Sequence, residues 1–367
     1  MIKINVISGF LGAGKTTLIK KLVKEAYCGE KVVLIENEFG EIGIDGGFLR
    51  DAGIEITEMN SGCICCSLVG DFGKALRKVI DEMEPERIVI EPSGVGKLSD
   101  IVRAVASSAE GKAEICGTAA VVDAGKCKMY MKNFGEFFND QIETADAIIL
   151  SHSKKLSEER IKETVGLLHA HNPDATVITT EWEELSGSKI LEAMESKSAL
   201  SERLRSFIES ADVKKEEDEH CHCHDDHETD SCGHDHDHHD HEHEHCHCHG
   251  DEHDHEHEHV HEHGDGCSCG CHGHHADEVF SSWGVETAVK YTEEQIRSIL
   301  EEFDEDPAYG MILRAKGIVE ATDGGWIHFD YVPGEIDVRR GSSEVTGRIC
   351  VIGSGLNEEK ISALFRA

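Results

Sequence analysis

The chain has 367 residues, 39% of them hydrophobic, and a formal net charge of −37 at pH 7. At about 150 residues per domain this length predicts two or three domains, and no apolar run approaches the roughly 18 residues of a membrane-spanning helix. The N-terminal sequence MIKINVISGFLGAGK has no secretion signal, so we expect a cytoplasmic protein without membrane partners. So acidic a chain is unsuited to nucleic acid, and its charge favours cations as partners.

Much of the acidity lies in residues 216–275, which hold 20 Asp and Glu and no Lys or Arg. The same segment contains 22 of the 26 His and 8 of the 15 Cys. Its only aliphatic or aromatic residue is Val260, so it cannot form a core that offsets chain entropy. We therefore expect a metal-binding segment at 213–276, disordered until metal binds, between folded domains at 1–212 and 277–367.

Residues 1–212 alternate strand-like and helix-like patterns. Apolar β-rich runs occur at Ile2–Ser8, Lys31–Glu36, Arg87–Glu91, Ala119–Asp123, Ala147–Ser151 and Ala175–Thr179. Helical patterns occupy Lys15–Ala26, Ser67–Met83 and Ser157–His171. This alternation predicts an α/β fold, a mostly parallel sheet with helices on both faces.

Residues 277–367 have ordinary globular composition. One strand face is predicted from the alternation of Trp283, Val285, Thr287, Val289 and Tyr291. Thr292 and Gln295 form a capping box ahead of a helix whose apolar stripe is Ile296, Ile299, Leu300 and Phe303. Strand-like runs follow at Met311–Ala321, Trp326–Val332 and Arg348–Ile352, and a last helix, Asn357–Phe365, buries Ile361, Leu364 and Phe365. We predict a small α+β domain.

The most specific motif is GFLGAGKT, residues 9–16, between a predicted strand and a predicted helix. This is the context of a P-loop, whose glycines let backbone amides point at phosphate oxygens at a helix N-terminus. Lys15 would reach the β- and γ-phosphates, Thr16 would bind Mg²⁺, and Thr17 is a further phosphate contact. The predicted nucleotide-binding residues in this loop are Gly9, Gly12, Ala13, Gly14, Lys15, Thr16 and Thr17.

A second acidic element fits the same site. The apolar strand at 87–91 ends in Glu91, and Gly94 follows three residues later. Glu91 could hold the magnesium shell or a water molecule, and the Gly94 amide could sense a γ-phosphate. The predicted catalytic residues are thus Lys15, Thr16 and Glu91.

A third element, Cys63, Cys65 and Cys66, precedes a predicted helix. Positive helix ends and nearby metal lower thiol pKa values, and soft thiolate ligands suit Zn²⁺ or a neighbouring borderline ion. A redox pair and buried structural cysteines are the alternatives.

The motifs GFLGAGKTTL, IENEFGEIGID (35–45), GCICCS (62–67), EPSG (91–94) and VVDA (121–124) occur in the order of CobW-type GTPases, which this chain resembles. The C-terminal ILRAKG (312–317) also resembles that family. The resemblance covers the chain outside the 216–275 insert. It implies a P-loop fold of the SIMIBI class, related to HypB and UreG, with Mg²⁺-dependent GTP hydrolysis and metal trafficking. It also implies a switch loop, with Glu36, Glu38, Glu41 and Asp45 as candidates for sensing phosphate, magnesium or transferred metal.

One departure concerns the base. Family members carry Asn-Lys-x-Asp after the strand 147–150, but this chain has Ser151, His152, Ser153 and Lys154. A lysine ammonium has no acceptor for the donors of a guanine edge. The base preference therefore stays open between GTP and ATP.

The insert supplies imidazole and thiolate ligands at spacings of one to three residues. Such ligands suit Zn²⁺, Co²⁺, Ni²⁺ or copper. The predicted ligands are His220, Cys221, His222, Cys223, His224, His245, Cys246, His247, Cys248, His249, Cys267, Cys269 and Cys271.

Together these features predict a nucleotide-dependent metallochaperone that stores a transition metal, with Zn²⁺ first and Co²⁺ or Ni²⁺ next. It would deliver the metal to a client metalloprotein or metallocofactor-assembly protein docked on the C-terminal domain. The alternatives are a metal buffer with a regulatory nucleotide site, and an ATP-dependent activator of a corrinoid or other metalloenzyme. A nucleotide-dependent homodimer is left open.

Overall fold

The computed structural model describes residues 1–37, 55–59, 69–109, 111–195 and 276–366. Within these ranges the chain forms two sheets, each with its own helices. None of the helices in the described ranges has the length and apolar character needed to cross a membrane.

The first sheet has seven strands, in the order β3-β2-β4-β1-β5-β6-β7, and all neighbours run parallel. The strands are β1 (Ile2–Gly9), β2 (Val32–Asn37), β3 (Glu55–Met59), β4 (Arg87–Glu91), β5 (Ala113–Asp123), β6 (Ala147–Ser151) and β7 (Thr176–Ile178). Ile4 pairs with Ile88 and Val6 with Ile90 across the centre. Strands buried on both faces carry continuous apolar runs, and such runs predicted six of the seven strands but not β3.

Helices cover both faces of this sheet, which confirms the predicted α/β class. They are α1 (Lys15–Glu25), α2 (Val69–Lys78), α3 (Leu98–Ser108), α4 (Cys127–Thr144), α5 (Glu158–His171) and α6 (Gly187–Glu195). Leu18 and Ile190, from α1 and α6, pack on the face that includes Ile7. The face that includes Ile4 and Val6 is covered by α2 to α5.

The second sheet is antiparallel apart from one short strand, in the order β12-β11-β10-β13-β8. Its strands are β8 (Ser281–Thr287), β9 (Lys290–Tyr291), β10 (Met311–Ala321), β11 (Trp326–Val332), β12 (Glu335–Gly341) and β13 (Gly347–Ser354). Helix α7 (Ala276–Val279) precedes it, and α8 (Glu293–Glu305) and α9 (Glu358–Phe365) pack on one face. The predicted α+β class is confirmed.

Two details of this domain differ from the prediction. The single strand expected across 283–291 is broken, because the backbone N–H of Val289 donates to Thr287 Oγ1 at 3.1 Å and forms a turn. Before the break, β8 pairs with β13; after it, β9 pairs in parallel with β10. In α9, Ile361 and Phe365 are buried as predicted, but Leu364 is only half-buried.

The second domain packs against the first through an aromatic cluster. Phe280, directly after α7, has its ring centroid 5.1 Å from that of Phe137 and 5.2 Å from that of Phe134. Phe10, which follows β1, lies 4.4 Å from Tyr130 and 6.1 Å from Phe280 by the same measure. The apolar contact therefore reaches the glycine-rich loop after β1.

Candidate functional site

The loop from Gly9 to Gly14 connects β1 to α1 through three glycines with positive φ. These angles are 147° at Gly9, 71° at Gly12 and 99° at Gly14, values that side chains disfavour. Gly14 is the left-handed N-cap of α1, so the helix begins with amides directed at the loop. A helix N-terminus reached through such a loop is suited to bind phosphate.

Neighbouring groups also exclude side chains from this loop. A Cβ at Gly9 would lie 2.4 Å from the Val121 carbonyl oxygen, and one at Gly14 would lie 2.7 Å from Cη2 of Trp182. At Gly12 the Cβ would be 2.2 Å from Cγ1 of Val332 in the second domain. The loop is thus enclosed by both domains, and Ala13 is buried within it.

Lys15 is the cation of the loop. Lys15 is only 6% exposed, and its Nζ donates to the Phe10 carbonyl oxygen at 3.3 Å. The ammonium therefore folds back across the loop, where the β- and γ-phosphates of a P-loop ligand lie. Thr17, in the first turn of α1, is exposed and lines the same cavity.

Thr16 and Glu91 form a set of oxygen ligands beside the loop. Thr16 Oγ1 lies 3.0 Å from Oε1 and 3.2 Å from Oε2 of Glu91, at the carboxyl end of β4. Glu36, which is 6% exposed, pairs in register with Glu91 at the end of the neighbouring β2. A hydroxyl and carboxylates fit Mg²⁺, which prefers oxygen ligands.

Gly94 lies against the loop. A Cβ at this position would be 2.9 Å from the backbone N of Leu11, and the Gly94 carbonyl accepts a hydrogen bond from Gln141 Nε2 at 3.2 Å. The absence of a side chain thus lets the segment after β4 approach the loop closely.

A cavity of about 450 Å³ lies above the loop, between the two domains. The first domain contributes Gly12, Gly14, Lys15, Thr16, Thr17, Glu91 and His152 to its walls. The second domain contributes Arg314, Asp330, Tyr331, Val332, Glu335, Ile336, Asp337 and Arg339. None of the second group is predicted from sequence patterns, although Arg314 belongs to the ILRAKG motif.

Residues 151–154, at and after the end of β6, form the base loop, at the position of the family's Asn-Lys-x-Asp motif. His152 adopts a left-handed conformation with φ 55°, uncommon for a residue with a side chain. Ser153 Oγ donates to Oε1 of Glu181, and Lys154 Nζ lies 3.3 Å from Oε2 of Glu183. Two carboxylates from the loop after β7 therefore reach the segment that lacks the family's aspartate. Nothing in the sequence around Glu181 marks this contact.

An ionic cluster joins the base loop to the second domain. One ligand-type atom from each of Asp123, His152 and Glu335 lies within 4.8 Å of the others. Nδ1 of His152 is 3.4 Å from Oε1 of Glu335, and Lys126 Nζ is 3.3 Å from Asp123 and 3.8 Å from Glu335. Lys126 thus gives both carboxylates a cation from the chain itself, and the cluster connects the domains.

Several predicted site residues lie outside the described residues. They are the switch-loop acids Glu38, Glu41 and Asp45, the cysteines Cys63, Cys65 and Cys66, and all the predicted ligands of the insert from His220 to Cys271. Of the predicted residues that the structure describes, Lys15, Thr16, Thr17 and Glu91 meet at one cavity, with Glu36 beside Glu91 in the sheet.

Comparison with curated proteins finds relatives in Escherichia coli. The zinc chaperone YeiR is 30% identical over 188 residues, which is 51% of this chain and 57% of YeiR. The zinc chaperone YjiA is 32% identical over 188 residues, 48% of this chain and 57% of YjiA. The chain thus matches little more than half the length of these relatives. Among solved structures, the Zn(II)-bound YjiA GTPase of E. coli aligns over 100% of this chain and 98% of its own, with 20% identity and a TM-score of 0.39.

Two family models match the chain, and together they span well over half of it. Residues 3–179 match the CobW/HypB/UreG nucleotide-binding domain, and residues 280–367 match the cobalamin synthesis protein cobW C-terminal domain. These ranges correspond to the two sheets described above. The chain therefore belongs to the CobW/HypB/UreG family, whose nucleotide-binding domain it carries, as the order of its motifs predicts.

Proposed function

We propose that this protein hydrolyses GTP with Mg²⁺ and couples nucleotide turnover to the binding and delivery of a transition metal, Zn²⁺ first. The observation that carries the nucleotide part is the meeting of Lys15, Thr16 and Glu91 at one cavity, with Thr16 Oγ1 3.0 Å from Glu91. This combination of an ammonium, a hydroxyl and a carboxylate is what phosphoryl transfer from a metal-bound triphosphate requires.

In this proposal the chain's own groups stabilise charge and position water. Lys15 and the amides of residues 12–16 neutralise the phosphate oxygens, so no covalent intermediate is needed. Thr16 and Glu91 would hold Mg²⁺, which when bound neutralises charge between the β- and γ-phosphates. We assign the orientation of the attacking water to Glu36, which is next to Glu91 in register.

The loop after β7 supports a preference for guanine. The edge of guanine offers N–H donors, and an ionised carboxylate only accepts. Glu181 brings such a carboxylate to the base loop through Ser153. In the proposed site it takes the role that the family's aspartate fills in Asn-Lys-x-Asp.

The variant Glu181→Gln should therefore lower the ratio of GTP to ATP affinity by about tenfold, since the lost contact is a charge-assisted hydrogen bond. Competition of both nucleotides against a fluorescent GTP analogue measures this ratio. Glu183→Gln, which alters the exposed neighbour paired with Lys154, is the matched control. Preferential binding of ATP by the wild-type protein would favour the ATP-dependent activator instead.

The metal part of the proposal relies on ligand chemistry and on the relatives. Cys63, Cys65 and Cys66 provide thiolates for a transferable Zn²⁺ ion, and segment 213–276, between domains 1–212 and 277–367, collects and stores metal. Both E. coli relatives are named zinc chaperones. We propose that zinc is the cargo and that a client metalloprotein receives it.

Zinc affinity measured by chelator competition tests this coupling in the full chain. We expect the zinc affinity of the complex with Mg²⁺ and a GTP analogue to differ at least tenfold from that of the complex with Mg²⁺ and GDP. A tenfold difference equals about 1.4 kcal/mol of coupling. Replacing Cys63, Cys65 and Cys66 together by serine should abolish the difference while the insert still binds zinc. Equal affinities in the wild-type protein would favour the metal buffer.

A further inference from the structure

The C-terminal sheet forms one wall of the nucleotide cavity. A Cβ at Gly12 would lie only 2.2 Å from Cγ1 of Val332, so the end of β11 lies directly on the phosphate loop, the loop from Gly9 to Gly14. Arg314, from β10, lines the same cavity as Lys15 and Thr16. A charged group of the second domain therefore faces the phosphate-binding part of the first.

The strand directs Arg314 to this side. Ala315 and Val319 pack into the core beneath α8 and α9, so Arg314 lies on the opposite face of β10. The pairing of β10 with β13 also shifts register between Ile312 and Arg314. An irregularity of this kind re-aims a side chain and is often found beside functional sites.

Arg314 is paired with a carboxylate that a phosphate group can replace. Its Nη2 lies 3.3 Å from Oδ1 of Asp330, and the two side chains are 22% and 34% exposed. Charge-assisted contacts of this type reach about 2.7–2.9 Å when well formed. A terminal phosphate offers more negative charge and three acceptor oxygens, and it accepts two parallel hydrogen bonds from one guanidinium.

We propose that Arg314 binds the terminal phosphate of a bound nucleoside triphosphate and exchanges Asp330 for phosphate oxygens. This inference rests on the proposed nucleotide function of the phosphate loop. With a diphosphate bound, Arg314 stays with Asp330. The contact makes the C-terminal domain sensitive to the difference between triphosphate and diphosphate.

Equilibrium binding to full-length protein tests the assignment, with fluorescent GDP and a fluorescent non-hydrolysable GTP analogue as probes in the presence of Mg²⁺. Arg314→Gln should weaken analogue binding about tenfold or more and change GDP affinity by less than about twofold. Asp330→Asn should tighten analogue binding because it removes the competing carboxylate. The matched control is Arg348→Gln on β13, whose partner is Glu286 at 3.5 Å; both affinities should stay unchanged.

An equal loss for both probes, or no loss, overturns the proposal. If Arg314→Gln lowers the unfolding temperature, Arg314→Lys decides, because it keeps the charge but loses the two-pronged geometry. A selective loss of analogue binding in that variant supports the assignment, and unchanged selectivity overturns it. If the wild-type protein binds neither probe, or Lys15→Ala binds both normally, the nucleotide function itself fails.

Discussion

Replacing Lys15 by alanine is expected to lower the rate of GTP hydrolysis at least about 100-fold, the usual loss when one preorganised donor to a transition-state charge is removed. Lys15 is 6% exposed, and its ammonium folds over the loop to the Phe10 carbonyl oxygen. A water molecule that takes its place carries no net charge, so the lost charge is not compensated.

Phosphate release at saturating GTP and Mg²⁺ measures the effect. Lys24→Ala, in the last turn of the same helix and exposed, is the control and should hydrolyse GTP at the wild-type rate. Thermal unfolding should be similar for both variants. Unchanged hydrolysis in Lys15→Ala would contradict the proposed site and would assign the activity to another protein in the sample.

Replacing Arg87 by methionine is expected to lower the free energy of unfolding by about 3 kcal/mol, because it leaves charged partners without their cation. The Arg87 side chain is 1% exposed and lies 2.6 Å from Glu30 and 2.7 Å from Glu195, with a further hydrogen bond to Asn5. Its guanidinium carbon also lies 4.6 Å from the centre of the Tyr27 ring. Glu30 and Glu195 are partly exposed, which places the loss at the lower end of the range for buried pairs.

Urea unfolding at neutral pH measures this loss. Arg103→Met is the matched control, because Arg103 is 61% exposed and pairs with Asp100 on one helix; its effect should be below about 1 kcal/mol. A loss of similar size in both variants would contradict the structural role of Arg87.

The pH dependence of stability is a second test of the contacts of Arg87. The hydrogen bond from Arg87 lowers the pKa of Glu30 below its ordinary value of 4.5. The contribution of Glu30 to stability is therefore complete above pH 4.5 and is lost as the pH falls through the lowered pKa. Arg87→Met lacks this contribution, so its stability should approach that of the wild-type protein as the pH drops.

The sequence predicted those elements whose local patterns agree with their packing. Thr292 and Gln295 cap α8 as expected, and the predicted stripe of Ile296, Ile299, Leu300 and Phe303 is its buried face. Strands β4, β6, β10 and β11 have the predicted bounds. In these cases apolar periodicity and capping indicate the same structure.

Other elements lack such a pattern. β12 lies at the sheet edge with half-buried or exposed residues along most of its length, so it carries no apolar run. α4 contains a non-helical Phe134 that interrupts its periodicity. The contribution of Arg314 to the nucleotide cavity depends on how two domains pack, which neither domain's sequence encodes locally.

The folded body holds the chain on both sides of the His- and Cys-rich insert, and this affects how freely the length of the insert can change. Glu195, the last described residue before it, is held by Arg87, and Ala276, the first after it, is buried in the core of the first domain. Both ends of the intervening chain are thus fixed to the folded body. By the loop-closure relation, doubling the number of residues between two fixed ends costs only about 0.6 kcal/mol. By this relation, His and Cys residues can be gained or lost between these ends at little cost to the stability of the folded body, which changes how many imidazole and thiol groups one molecule carries.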